Sequence, residues 1–115
     1  MGESAGLLQG TLELLVLKAL SLEPMHGWGI GQRLGQLSKD ALVVTQGSLY
    51  PALQRMVRRG LLRSEWRVTA NHRRARYYAL TREGRARLAA DSAAWRRDAA
   101  VVNGVLRARL AGGNA

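Results

Sequence analysis

The sequence contains no cysteine and only two histidines, His26 and His72. The absence of thiols excludes disulfides, thiolate metal sites and cysteine nucleophiles, and it fits a reducing, cytoplasmic compartment. Neither histidine belongs to a cluster with metal-ligand spacing, and no nucleophile has a base nearby in the sequence. We therefore expect no metal, no cofactor and no enzymatic activity, and we retain a basic enzyme subunit or cofactor-binding module as a rival interpretation.

Acidic residues and long apolar runs are also scarce. Eight Asp and Glu residues oppose 18 Lys and Arg residues, which gives a formal net charge of +10, and Lys18 and Lys39 are the only lysines. Because the guanidinium group is a planar fork that matches phosphates and guanine edges, this arginine excess favours a nucleic acid as partner. The first apolar stretch is interrupted by Glu13 and Lys18, and no basic segment precedes it, so we expect neither a membrane span nor a signal peptide.

The spacing of apolar residues predicts two helices in the first third of the chain. Leucines recur at helical spacing over 7–22, which predicts a largely buried first helix. A shorter second helix is predicted over 28–37, with Ile30, Leu34 and Leu37 directed inward.

A third helix is predicted between Thr45 and Gly60. Thr45 and Ser48 supply side-chain oxygens for its N-terminal cap, and Gly60 ends it. Its outer face is polar and basic and includes Gln54 and Arg55. Its inward stripe consists of Leu49, Leu53, Met56 and Val57.

Two runs in which apolar and polar residues alternate, 62–68 and 76–80, predict the strands of a β-hairpin. The link between them carries Arg73 and Arg74, and Arg76 follows directly, so the tip of the hairpin is basic. One face of the first run should be half-buried. This face contains Leu62, Ser64, Trp66 and Val68.

Helix, helix, turn, helix and hairpin in this order are typical of a winged helix-turn-helix, a mainly α fold with a small β-hairpin wing. Its third helix enters the major groove of double-stranded DNA, and its wing reaches phosphates or the minor groove. The residues expected to contact base edges or the adjacent backbone are Gln46, Ser48, Gln54 and Arg55. Those expected to hold phosphates are Lys39, Tyr50, Arg73, Arg74 and Arg76. Solvation of these side chains, or packing of the Tyr50 ring, is the alternative that the sequence leaves open.

Residues 82–110 predict a last helix with a heptad seam. The chain offers no second long helix to cover that seam, so we expect pairing with a second copy of the chain as a homodimer. Trp95 either anchors this interface or flanks an effector pocket, in which the small residues Ser92 and Ala99 leave room. The seam consists of Leu88, Ser92, Trp95, Ala99, Val102 and Leu106.

Five short motifs follow one another along the chain, each weak alone but specific in this order. They are Leu8-Gln9-Gly10-Thr11-Leu12, His26-Gly27-Trp28, Gly47-Ser48-Leu49-Tyr50-Pro51-Ala52-Leu53 with Arg55-Met56, Gly60-Leu61-Leu62, and Arg76-Tyr77-Tyr78-Ala79-Leu80-Thr81 with Gly84. By these motifs the sequence resembles the PadR family of bacterial transcriptional regulators, in its compact branch with one C-terminal helix. Trp28 stands where that family usually carries tyrosine.

The resemblance implies a winged-helix domain, a C-terminal dimerisation helix, and repression of a promoter that a small molecule or stress signal relieves. It also implies that an aromatic effector stacks beside Trp95 across the dimer axis. We therefore expect a winged-helix DNA-binding domain over 1–81, a dimerisation helix over 82–110 and a flexible tail over 111–115. The expected function is that of a homodimeric repressor on a pseudo-palindromic operator. A winged-helix module that binds RNA or another protein is the alternative.

Overall fold

The computed structural model describes the backbone of residues 2–110 and the side chains of residues 11–110. Within these residues the chain folds into four helices and a three-stranded antiparallel sheet, which confirms the predicted mainly α fold with a β-hairpin wing. The expected tail at 111–115 lies outside the described residues. The elements are α1 (Gly2–Leu22), β1 (Met25–His26), α2 (Gly27–Leu37), α3 (Gln46–Arg58), β2 (Leu62–Val68), β3 (Arg74–Leu80) and α4 (Arg82–Leu106).

The sheet has the strand order β1, β3, β2, so β3 lies in the middle. Leu62 pairs with Leu80 at the inner end of the β2–β3 hairpin, and Val68 pairs with Arg74 at its outer end. We refer to this hairpin as the wing. The sequence does not predict β1, because two residues are too few to show an alternating pattern. This strand forms only because the chain after α1 reaches β3.

The hydrophobic core lies between α1, α2, α3 and the sheet. Ile30 and Leu34 are buried in it as predicted. The inward direction predicted for Leu37 is wrong, because α2 ends at this residue and its last turn extends beyond the core, which leaves Leu37 54% exposed. The most deeply buried side chains are Tyr78, Leu17, Ile30, Leu49, Leu53, Met56 and Val16.

Side-chain caps fix where three of the helices begin. Thr45 Oγ1 accepts a hydrogen bond from the Ser48 N–H at 3.2 Å, which confirms the predicted start of α3. His26 Nδ1 accepts one from the Gly29 N–H at 2.9 Å at the start of α2. Thr81 Oγ1 has the same role at the start of α4. Each cap supplies an acceptor for an N–H group that has none within its own helix.

The last helix, α4, leaves the core partway along its length. The half-buried Leu88 packs against the core, but all residues from 100 to 110 are exposed in the single chain. The helix ends at Leu106, short of the predicted residue 110, and Arg107 forms its C-terminal cap. Among the described helices, none has the length and apolar character needed to cross a membrane.

Gly84 allows the start of α4 to touch the turn between α3 and β2. The Thr81 hydroxyl donates a hydrogen bond to the Gly60 carbonyl at 2.6 Å, and the Thr81 N–H donates one to the Leu61 carbonyl at 3.1 Å. Gly84 is buried beside this contact, and a Cβ added to it would overlap the Leu61 carbonyl oxygen. Any other residue at this position would push helix and turn apart.

We predict that Gly84→Ala lowers the free energy of unfolding by about 1–3 kcal/mol, the usual cost of inserting a methyl group into a packed site. Denaturant unfolding followed by circular dichroism measures this change. The matched control is Gly104→Ala in the exposed part of the same helix, where the added Cβ meets no heavy atom within 4 Å apart from its chain neighbours and the local helix backbone. It should raise the free energy of unfolding by about 0.5–1 kcal/mol. Similar effects of the two substitutions would contradict the proposed contact.

Candidate nucleic-acid interface

An open groove with a cavity volume of about 470 Å³ lies between the wing and the starts of α2 and α3. We call it the wing groove. From α3 it is lined by Gln46 and Tyr50, and from the wing and its tip by Arg73, Arg74 and Arg76. The structure thus brings together five of the nine residues predicted to contact DNA. No carboxylate occurs among the described residues that line the groove, so its positive charge is not neutralised locally.

The buried stripe of α3 determines how its other side chains are directed. Leu49, Ala52, Leu53 and Met56 face the core. Gln54 therefore points away from the domain and is exposed, as predicted. Ser48 is exposed at the first turn, where its hydroxyl oxygen accepts a hydrogen bond from Thr45 Oγ1 at 3.2 Å.

Arg55 does not face the wing groove. Its Nε donates a hydrogen bond to Glu13 Oε2 on α1 at 3.4 Å, and Arg59 pairs with the other oxygen of the same carboxylate. Ser48 lies two turns before Arg55 and therefore on the same flank of α3. The predicted contacts on α3 thus lie on three sides of the helix. Gln46 and Tyr50 are on the wing side, Gln54 is on the outer side, and Ser48 and Arg55 are on the α1 side.

Lys39 lies outside the wing groove, in the turn that follows α2. Its backbone has a positive φ of 53°, and Asp40 after it has a φ of 65°. This left-handed pair reverses the chain, and the Asp40 N–H donates a hydrogen bond to the Gly35 carbonyl at 2.7 Å. Lys39 is exposed and remains available to a phosphate at the opposite end of the α2–α3 unit.

Trp66 is a candidate functional residue that the sequence analysis does not identify. The guanidinium carbon of Arg74 lies 5.0 Å from the centroid of its ring, and that of Arg76 lies 5.4 Å away. The alternation places Trp66 on the core-facing side as predicted, yet it is 53% exposed and Val68 is 67% exposed. The half-buried face predicted for β2 is therefore correct only at its inner end, because the wing extends beyond the core.

The opposite face of the sheet carries a second aromatic cluster. The His26 ring contacts Tyr77 edge to face at 5.3 Å between centroids and lies 6.3 Å from Trp28. Arg67 lies 4.9 Å from the Tyr77 centroid and also pairs with Glu65 at 3.0 Å. Trp28 is 61% exposed and also lines the wing groove. The sequence alone shows only that Trp28 replaces the tyrosine usual in the family. It does not reveal the cluster, because the cluster depends on the pairing of β1 with β3.

Tyr78 lies in the core beneath the wing groove. Burial raises the pKa of its hydroxyl above the ordinary value, the neighbouring Tyr50 raises it further, and Arg76 lowers it. Among the described residues this hydroxyl has no hydrogen-bond partner. Tyr78 therefore remains neutral and adds no negative charge to the groove above it.

A second, apolar cavity of about 270 Å³ lies between α1 and α4, and we call it the α1–α4 pocket. Ser92 and Trp95 line it, whereas Ala99, the third residue of the predicted effector site, does not. Its other lining residues are Thr11, Leu14, Leu15, Leu42 and Arg96. Over the described part of the chain, no three His, Asp or Glu side chains are grouped so that they could hold a metal ion.

The predicted heptad seam is covered at one end of α4 and open at the other. Leu88, Ser92 and Ala99 are half-buried, and Trp95 between them is 47% exposed. Val102 is 55% exposed and Leu106 is 76% exposed. The single chain therefore presents an apolar strip at the free end of α4.

The chain is similar to known transcriptional regulators in sequence and in fold. The profile of the Transcriptional regulator PadR-like family matches residues 16–90. A PadR family regulator from Eggerthella lenta superposes with a TM-score of 0.79 at 30% identity, covering 94% of this chain and 92% of its own. A PadR-like regulator from Bacillus cereus superposes with a TM-score of 0.78 at 26% identity, covering 90% and 99%.

A PadR-like transcription factor from Bacteroides fragilis also superposes, with a TM-score of 0.71 at 30% identity, covering 91% of this chain and 99% of its own. No curated protein sequence matches the chain. The family profile spans more than half of the sequence, and whole-chain folds agree with it. The chain belongs to the PadR-like family of transcriptional regulators.

Proposed function

We propose that the protein is a repressor that binds a pseudo-palindromic DNA operator as a homodimer and leaves it in response to a small molecule or stress signal. The observation that carries this proposal is the wing groove, where Gln46 and Tyr50 at the start of α3 meet three arginines of the wing. In winged-helix proteins the third helix enters the major groove. One surface thus offers side chains that can contact bases beside charges that can hold phosphates.

In the proposed complex, the outer side of α3 faces the base edges. Gln54 points outward, and its amide has the donor and acceptor that adenine requires. Gln46 and Ser48 lie in the first turn of the helix, whose positive N-terminal end favours a phosphate, so they contact bases or the adjacent backbone. Arg55 leaves Glu13 to contact DNA at little cost in free energy, because an exposed ion pair contributes only about 0–1 kcal/mol to stability.

The phosphates are held from both sides of α3. Arg73, Arg74 and Arg76 contact the backbone on the wing side, together with the Tyr50 hydroxyl. Lys39, in the turn between α2 and α3, contacts the backbone on the other side. These contacts fix the orientation of the domain on DNA without selecting a sequence.

We assign residues 1–81 to the DNA-binding domain and 82–110 to a dimerisation helix. The exposed strip at Val102 and Leu106 lies on the heptad seam, and a second copy of the chain would cover it. Each subunit would then contact one half-site, with the two α3 helices about 34–36 Å apart in successive major grooves.

The effector is proposed to bind in the α1–α4 pocket, with its aromatic ring stacked on Trp95, Ser92 beside it and Ala99 one turn further along α4. Arg96 is the only charged side chain among the described lining residues, so an acidic group on the ring is favoured. Leu42 also lines the pocket, in the connector that leads into α3. A bound ligand would therefore shift α3 and change the spacing of the two wings.

We predict that replacing both Arg73 and Arg74 with alanine weakens binding to all duplexes similarly and reduces its salt dependence, because fewer counterions are released. Gln54→Ala should instead weaken the preference for one base pair, by about 1–3 kcal/mol. Fluorescence anisotropy with a duplex from the upstream region of the gene and with an unrelated duplex, between roughly 50 and 200 mM salt, measures both effects.

The charge-matched control for this experiment replaces Arg85 and Arg87, which are exposed on α4 away from the groove. It should change the salt dependence less than the wing variant does. A reversed pattern between the wing variant and Gln54→Ala would mean that wing and helix have been misassigned. Binding of single-stranded RNA with no affinity for either duplex would reject the repressor and favour the RNA-binding alternative.

We predict that Val102→Asp combined with Leu106→Asp converts the dimer to a monomer, because two buried charges per subunit would lie unpaired at the seam. Sedimentation equilibrium at micromolar concentration measures the mass. The control, Val101→Asp, places a charge on an exposed residue off the seam and should leave the dimer intact. A wild-type chain that sediments as a monomer would overturn the dimer and the two-half-site operator with it.

We predict that a naphthalene carboxylate binds the α1–α4 pocket more tightly than the matched naphthylmethylammonium, because Arg96 attracts the acid and repels the amine. Titration calorimetry measures both affinities. Trp95→Ala should abolish binding, whereas Arg96→Gln should remove the preference for the acid while the ring still binds. Equal affinities of the two probes for the wild type would refute the proposal that the effector is acidic. Binding unaffected by Trp95→Ala would refute the proposal that it binds in the α1–α4 pocket.

A further inference from the structure

Trp66 and two arginines form a stacked group on the core-facing side of the wing. The guanidinium carbons of Arg74 and Arg76 lie 5.0 Å and 5.4 Å from the ring centroid, within the roughly 6 Å over which an aromatic face attracts a cation. Trp66 is directly opposite Arg76 in the β2–β3 register. The sheet itself therefore sets the position of the indole against the arginines.

These two arginines differ from others near the interface in how their charge is engaged. Arg67 pairs with Glu65, and Arg55 pairs with Glu13. Among the described residues, neither Arg74 nor Arg76 has a carboxylate within ion-pair distance. The two guanidinium groups are ordered by a neutral ring, so their full charge remains available to a polyanion.

Arg76 has a second contact that restricts it. Its Nε donates a hydrogen bond to Ser64 Oγ at 3.1 Å, while the indole covers its guanidinium group. Long arginine side chains otherwise lose much rotamer freedom when a ligand orders them. On the wing, Arg76 loses this rotamer freedom when the protein folds, so binding does not have to restrict it again.

We propose that Trp66 is a positioning residue for DNA binding, which directs Arg74 and Arg76 into the wing groove before DNA arrives. This inference rests on the proposed DNA-binding function. Trp66 is 53% exposed and lines the groove beside both arginines, so its ring is not required to fill the core. Its loss should weaken binding to every duplex by a similar factor.

The test compares Trp66→Leu, which keeps an apolar side chain without a π face, with Trp66→Phe, which keeps a smaller π face. We expect Trp66→Leu to weaken binding about tenfold to both a promoter duplex and an unrelated duplex, and Trp66→Phe to restore most of the loss. Both arginines remain charged, so the salt dependence of binding should stay that of the wild type. Fluorescence anisotropy over a salt series measures affinity and salt dependence together.

A second measurement examines the free protein. In the wild type the side-chain proton resonances of Arg74 and Arg76 should be shifted upfield by the indole ring current, and Trp66→Leu should abolish this shift. The control is Val68→Ala, which shortens another exposed apolar side chain on the same face of the wing. It should change neither the affinity for DNA nor the arginine resonances.

Three results would overturn the proposal. Equal affinities of Trp66→Leu and the wild type would mean that the indole orders nothing that binding uses. A reduced salt dependence in Trp66→Leu would mean that the ring holds the wing itself and not the arginines. Absence of ring-current shifts in the wild type would mean that the stacked group does not exist in solution. A wild type that binds no duplex would instead reject the proposed function, whatever the resonances show.

Discussion

Burial of the inner end of the wing determines where the basic residues of the candidate interface lie. Leu62, Tyr78 and Leu80 are at most 4% exposed and hold the hairpin in one register against the core. Because side chains alternate along a strand, the same register places Arg74 and Arg76 on the groove side further out. A slip of one residue would turn both to the opposite face. The buried residues of the core thus fix the position of exposed arginines that do not belong to the core.

The distribution of acidic residues is as important as the excess of arginine. On the α1 side of α3, Glu13 pairs with Arg55 and Arg59. On the wing side, the described lining of the groove holds no carboxylate. The two flanks of one helix therefore differ in electrostatic potential. A polyanion would meet the stronger positive potential on the flank that also carries the wing.

The α1 helix links the two candidate sites. It supplies much of the core, it carries Glu13 against α3, and Leu14 and Leu15 line the α1–α4 pocket. The connector before α3 reaches the same pocket through Leu42. Occupation of the proposed effector site would therefore act on α3, the helix proposed to enter DNA, through packed side chains of α1 and of the connector.

The sequence by itself determined the four helices and the wing hairpin, because apolar spacing and helix caps such as Thr45 are local features. It also predicted five of the residues that line the wing groove, Gln46, Tyr50, Arg73, Arg74 and Arg76, since the fold class places the start of the third helix beside the wing. The tertiary structure alone decided that Arg55 faces α1, that Leu37 is exposed and that Trp66 stacks on arginines. These three features depend on the rotation of a helix, the extent of the core and the register of the strands. Each is set by contacts between residues far apart in the chain, which the local periodicity of the sequence does not reveal.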